Sequence, residues 1–126
     1  MVVTVVLPET IRSKKNSKRP VQVGKKGKKR LMLIPSKAYL KWEKLARIEA
    51  WRQLPRGWTP VTGPVHIIAT IYYKGRRPDL SGAMESVGDC MEKILYANDS
   101  QIESWDGTRL FHDLENPRTY VTMKTL

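Results

Sequence analysis

Val65–Tyr73 is the stretch that most constrains the fold. Val65, Ile67, Ala69 and Ile71 alternate with His66, Ile68, Thr70 and Tyr72, so an extended segment here carries apolar side chains on both faces. Such a strand is expected at the centre of a sheet, and the segments on either side of it change to a helical period. Before it, Ala38, Tyr39, Trp42, Leu45, Ala46, Ile48 and Trp51 recur at helical spacing, with Ser36 as the cap and Leu54-Pro55 as the stop; a helix is expected over about 37–53. After it, Leu80, Met84, Val87, Met91, Ile94 and Leu95 form an apolar stripe opposite Ser81, Glu85, Gly88, Asp89 and Glu92. Short β-rich runs complete the pattern at Val2–Leu7, Leu31–Ile34, about 101–110 and about 118–124. Strands separated by two helices predict an α/β (α+β) class, one mixed sheet with both main helices packed on it.

The chain has 126 residues, enough for a single domain burying roughly two thirds of its unfolded surface. No window approaches the roughly 18 apolar residues of a membrane span, and Met1–Leu7 reads as a strand in place of a secretion signal, so no membrane association and a cytoplasmic location are expected. Cys90 is the single cysteine; it lies among helix-periodic residues and reads as a buried thiol in a reducing compartment.

The charge is unevenly spread. Residues 1–60 hold sixteen Lys/Arg against three Asp/Glu, a balance of +13, and residues 61–126 hold seven against nine, a balance of −2. Ten of the cations lie between Arg12 and Arg30 with no acid among them. A field of that size favours phosphate backbones over acidic small molecules, which makes nucleic acid the expected partner. Pro20, Gly24 and Gly27 interrupt the block, and it lacks the apolar face of an interfacial helix, so residues 12–30 are expected to form a Gly-tipped hairpin or arm. Lys14, Lys15, Asn16, Lys25, Lys26, Lys28, Lys29 and Arg30 of this arm, together with Lys74, Arg76 and Arg77, are the candidate nucleic-acid contacts. Lys37, Lys41, Lys44, Arg47 and Arg52 on the first helix either extend that surface or form a solvated face.

Acids concentrate immediately after the Arg76-Arg77 pair. Asp79 enters the second helix, Glu85 and Asp89 share one face of it, and Asp99 follows in Asn98-Asp99-Ser100. Taken one at a time, Asp79 suits a helix N-terminus, Lys93 could pair with Asp89, and Asp99 fits an Asx turn. Glu85 and Asp89 repel each other by about 0.2–0.5 kcal/mol at their i,i+4 spacing, so something should compensate. Taken together, acids from a strand end, a helix and a following turn could converge on one hard ion such as Mg²⁺, which binds oxygen and shares its ligands with substrate phosphate. A zinc site is disfavoured because His66, His112 and Cys90 are isolated, and no phosphate-binding glycine loop, nucleophile elbow or dinucleotide fingerprint is present. Trp105-Asp106-Gly107 could offer a stacking residue near the site but reads first as a hairpin turn with a packed tryptophan, with Asp106 only a remote ligand candidate. A metal-dependent nuclease follows as the leading function. A non-catalytic, basic, structure-selective nucleic-acid-binding protein is the alternative.

At these residues the chain resembles the RusA family of phage-type Holliday junction resolvases. The resemblance rests on Pro78-Asp79-Leu80-Ser81-Gly82, Asp89 and Asn98-Asp99-Ser100-Gln101-Ile102, with weaker likeness in Leu7-Pro8, Ser13-Lys14-Lys15-Asn16 and Pro35-Ser36-Lys37-Ala38-Tyr39. It implies a homodimeric endodeoxyribonuclease that uses Mg²⁺, with Mn²⁺ as an alternative, to make paired nicks in four-way DNA junctions during recombination and repair. Asp79 and Asp99 carry over as metal-binding catalytic carboxylates, and Asp89 joins the catalytic set. Ser81 stands where the family has a second aspartate, and Glu85 where it often has lysine. Either Glu85 supplies the missing carboxylate as a third metal ligand, or the chain is a non-cleaving relative.

Overall fold

The computed structural model describes residues 1–13, 18–24 and 30–126. Its strands are β1 (Val2–Pro8), β2 (Lys18–Val23), β3 (Arg30–Pro35), β4 (Val65–Tyr73), β5 (Ile102–Ser104), β6 (Arg109–His112) and β7 (Arg118–Thr125). The helices are α1 (Lys37–Gln53) and α2 (Leu80–Met91), with a 3-10 turn at Asp99–Gln101. β1, β7 and β4 pair antiparallel in that order, and both β5 and β6 run parallel to the far edge of β4. The sheet is therefore mixed, with β4 central as its two-faced apolar pattern requires. Val65, Ile67, Ala69 and Ile71 are fully buried, against Val5 and Leu7 of β1, Val121 and Met123 of β7, and the inward faces of both helices. Among the described residues no helix is long and apolar enough to cross a membrane.

β2 and β3 form a separate antiparallel hairpin, the geometry expected for the basic arm. Lys14, Lys15, Asn16, Lys25, Lys26, Lys28 and Lys29, expected as nucleic-acid contacts, lie outside the described residues. Arg30 begins β3.

Helix α1 has the expected bounds, and the Ser36 hydroxyl accepts from the Tyr39 N–H at 3.1 Å, satisfying one of the unpaired donors of the first turn. It buries Tyr39, Trp42, Ala46 and Ala50. Ala38, Ile48 and Trp51, expected on the same apolar face, are exposed, because α1 meets the sheet mainly along β1 and buries a narrower stripe. Gln53 closes the contact: its Oε1 accepts from the Val6 N–H at 2.7 Å and its Nε2 donates to the Val6 carbonyl at 2.8 Å, pairing groups on the free side of an edge strand.

Helix α2 departs from the expected stripe. Leu80 is exposed and Met84 half-buried, whereas Gly82, Ala83, Ser86, Val87, Gly88, Cys90 and Met91 face inward. A Cβ added at Gly88 would stand 3.7 Å from the Trp105 ring, an ordinary contact distance. The helix stops at Met91, short of Ile94 and Leu95, which reach the core through a tight turn in which Lys93 adopts φ 67°. Arg47 of α1 fixes that end, with Nη1 donating to the Cys90 carbonyl at 2.6 Å and the Glu92 carbonyl at 3.1 Å. Since Lys93 lies beyond the last turn, it is not an i+4 helical neighbour of Asp89.

The single strand expected at about 101–110 is two strands. β5 ends at Ser104, a turn occupies 105–108 with Gly107 at φ 93°, and β6 resumes in the same direction. The Trp105–Gly107 segment is thus an interruption within one sheet edge and not a hairpin turn. The gap is bridged by side chains: the Thr108 hydroxyl accepts from the Ala69 N–H at 3.0 Å, and His66 Nε2 donates to the Asp106 carbonyl at 2.9 Å.

Replacing Arg47 by Met keeps the stem volume and removes the charged donors from the α2 terminus. The variant should lose about 1.5–3 kcal/mol of stability in a urea titration, because two carbonyls lose a charge-assisted partner.

Candidate functional site

The acids of the Asp79–Asp99 segment are distributed along one helix and the turn after it. Asp79 occupies the N-cap position of α2 but makes no capping bond with its side chain; instead Oδ2 accepts from the Ser81 hydroxyl at 2.7 Å. Its carbonyl still accepts the first helical bond, from the Ala83 N–H at 2.9 Å, which fixes the backbone. Glu85 lies six residues further on, about 9 Å along the helix axis. It lines a cavity of about 200 Å³ together with Met84, Asp89, Asp99, Ile102 and Trp105. Glu85, Asp89 and Asp99 thus share one cavity, and Asp79 borders a neighbouring one.

Asp99 is set in place by a network that leaves its own carboxylate out. The Asn98 side chain accepts from the Ser100 N–H at 2.8 Å, the Gln101 side chain accepts from the Asn98 N–H at 2.7 Å, and Gln101 Nε2 donates to the Val61 and Gly63 carbonyls at 2.9 and 2.8 Å. The Asx turn read from the sequence therefore belongs to Asn98, in a reciprocal capping arrangement. Glu92 Oε1 accepts from the Asp99 N–H at 3.1 Å and holds the turn to the end of α2. Beneath, the buried Tyr96 hydroxyl donates to the Gly88 carbonyl at 2.7 Å. Burial, and then the nearby Asp99 charge, push the Tyr96 phenol far above its ordinary range, so it stays a protonated donor under the cavity wall.

Among the described residues no three His, Cys, Asp or Glu side chains come together closely enough to enclose an ion. A magnesium ion needs fewer protein ligands, since it keeps several waters and can be held by one or two carboxylates plus substrate phosphate. The donors at the cavity are hard oxygens, which fit Mg²⁺ or Mn²⁺ and not a thiolate–imidazole metal. Cys90 is buried, His66 is engaged with Asp106, and His112 lies against Tyr73 with ring centroids 5.3 Å apart. Asp106 does not line the cavity.

Lys74, Arg76 and Arg77 lie on the connection from β4 to α2, which bends at Gly75 with φ 81°. They border a larger cavity, about 640 Å³, which the segment 10–13 and Asp79 also line. The Thr10 hydroxyl accepts from the Lys74 N–H at 3.0 Å and ties the two segments together. Thr10, Arg12 and Ser13 were not among the candidate site residues, and Trp105 was weighed as a stacking residue near the site but read in the first place as packing; Arg12 had a sequence signal only as the first cation of the acid-free block.

Cys90 sits on the buried side of α2, and burial with the neighbouring Glu43 pushes its thiol up to about 12. The raised value keeps the thiolate scarce at neutral pH. The native protein should resist a thiol reagent at pH 8 and react promptly in denaturant, so labelling rates follow the opening of α2; prompt labelling under native conditions would contradict this packing.

Compared with known proteins, the chain matches one family model, described as endodeoxyribonuclease RusA, over residues 12–124. No curated protein matches it.

Proposed function

The chain belongs to the RusA endodeoxyribonuclease family, and on that premise we propose that it is a metal-dependent resolvase making paired, symmetric nicks in four-way DNA junctions. The observation that carries the proposal beyond the family is the cavity shared by Glu85, Asp89 and Asp99. Mg²⁺ is the proposed cofactor, with Mn²⁺ able to replace it; Asp99 and Glu85, which line one cavity, are the proposed ligands, and Asp79, expected from the sequence as a third, borders the neighbouring cavity and is left out of the set. A divalent ion bound there would supply activated water and neutralise charge on the phosphate.

The chain's own residues have separable roles in this account. Asp99 is presented by a turn whose hydrogen bonds are closed by Asn98, Gln101 and Glu92, so its carboxylate is oriented without being consumed. Asp89 adds negative charge to the same wall and deters a bare phosphate unless a cation intervenes. Ser81, in place of a carboxylate, hydrogen-bonds Asp79 and acts as its positioning residue. Glu85 then compensates for the acid absent at Ser81, since it faces the cavity that Asp89 and Asp99 also line. That grouping favours a cleaving enzyme over a degraded relative: carboxylates beside a polyanion weaken binding and have no use in a protein that only binds.

A junction has two-fold symmetry, and two nicks related by that symmetry are most simply made by a C2 homodimer with one site per protomer. Phosphate contacts from Lys74, Arg76, Arg77 and the arm residues would position the substrate by shape more than by sequence.

Asp99→Asn should reduce junction cleavage by about two orders of magnitude or more while leaving junction affinity equal or tighter, because a repulsive charge is removed. Glu85→Gln should do the same. Undiminished cleavage by Glu85→Gln would remove it from the ligand set, and undiminished cleavage by Asp99→Asn would overturn the proposed site.

A further inference from the structure

Three of the described arginines are committed to partners within the fold. Arg47 is bonded to the Cys90 and Glu92 carbonyls, Arg52 to Glu49, and Arg118 to Asp113 while lying over the Tyr72 ring at 4.1 Å. These guanidinium groups serve the fold. Arg12, Lys74, Arg76 and Arg77 are all exposed, and their side chains make no hydrogen bond or ion pair to a described residue. All four border the 640 Å³ cavity, where Asp79 is the only acid among the described lining residues.

Four uncommitted cations around one carboxylate raise the energy of the free protein through mutual repulsion, and an anion relieves it. The bond from the Lys74 N–H to the Thr10 hydroxyl ties segment 10–13 to segment 74–79, so Arg12 borders the cavity from one segment and Lys74, Arg76 and Arg77 from the other. Cations from two segments suit a tetrahedral phosphate group, and guanidinium groups can bind its oxygens in pairs. Asp79, where α2 begins, also lines the cleft, and the carboxylate cavity opens farther along the same helix.

We infer that the cleft between residues 10–13 and 74–79 holds a backbone phosphodiester of the DNA strand that enters the carboxylate cavity, and that Arg12 is its anchor from the first of these segments. This rests on the nuclease function proposed above and assigns the strand a path from the basic cleft along α2. The chemistry is that of a phosphate anion, which free phosphate shares, so the test includes both sources.

Junction binding is measured with chelator present, across a salt series, for the unchanged protein, Arg12→Ala, Arg12→Lys and Lys124→Ala. Lys124 is a control at the far end of the sheet, paired with His66 whereas Arg118, near the cleft, pairs with Tyr72, about 20 Å away along the strand. Arg12→Ala should weaken binding by about tenfold and flatten the plot of log K against log salt by about 0.9, the value of one phosphate contact. Arg12→Lys should keep the slope and lose part of the affinity, because a point charge replaces a fork. Lys124→Ala should change neither.

An equal loss in Lys124→Ala would reduce the effect to the general positive field and overturn the cleft. An unchanged slope in Arg12→Ala, in a background where the unchanged protein binds and cuts junctions, would overturn the cleft alone. Failure of the unchanged protein both to bind and to cut would overturn the cleft and the nuclease function together. Inorganic phosphate, titrated at constant ionic strength, should not displace the junction from the unchanged protein at millimolar concentration. Displacement that is lost in Arg12→Ala would make this a pocket for free phosphate and overturn the DNA assignment.

Discussion

Helix α2 has to lie close to the layer beneath it and then stop abruptly, and the candidate site depends on both. Gly82, Ala83 and Ser86 are buried on its inward face, and bulkier residues there would push the helix off the layer beneath. The stop at Met91 is held from one side by Arg47 and from inside by Tyr96. Had the helix continued through Leu95, Asn98 and Asp99 would leave in another direction. The turn instead brings Asp99 back beside Asp89, across the last part of the helix, with Glu92 bonded to the Asp99 backbone. Local packing and hydrogen bonding thereby set the spacing of carboxylates that are distant in sequence.

Charge is organised on the same axis. Acids occupy the cavity along α2, and uncommitted cations occupy the cleft at its start, with Asp79 between the two. Either group alone would be an ordinary surface feature. Side by side they meet the two requirements of a metal-assisted phosphodiesterase, attraction for the backbone and oxygen ligands for an ion. The Ser81–Asp79 hydrogen bond supports this division, because serine orients the acid without adding a second negative charge at the mouth of the basic cleft.

The elements governed by short-range rules were legible in the sequence. Ser36 and Leu54 bounded α1, alternation identified β4, and Pro35 and the glycines framed the hairpin of the arm. Of the acids expected to converge, Glu85, Asp89 and Asp99 line one cavity, whereas Asp79, at the start of the helix, borders the neighbouring one. What escaped was long-range. The break between β5 and β6 depends on Thr108 replacing a ladder partner for Ala69, and the end of α2 depends on an arginine forty-three residues away from the carbonyl it caps. The basic cleft escaped because Thr10 and Lys74 are sixty-four residues apart, and a hydrogen bond between them leaves no periodic trace. The misjudged faces of both helices share one cause: periodicity gives the direction of an apolar stripe, whereas its width is set by the shape of the sheet beneath.

The most direct test incubates the purified protein with a labelled four-way junction and with a linear duplex of the same sequence, in Mg²⁺, in Mn²⁺ and in chelator. The account predicts paired nicks confined to the junction, present with either metal and absent in chelator. Junction binding with no cleavage in either metal would contradict it, and would mean that the carboxylates along α2 no longer form a working site.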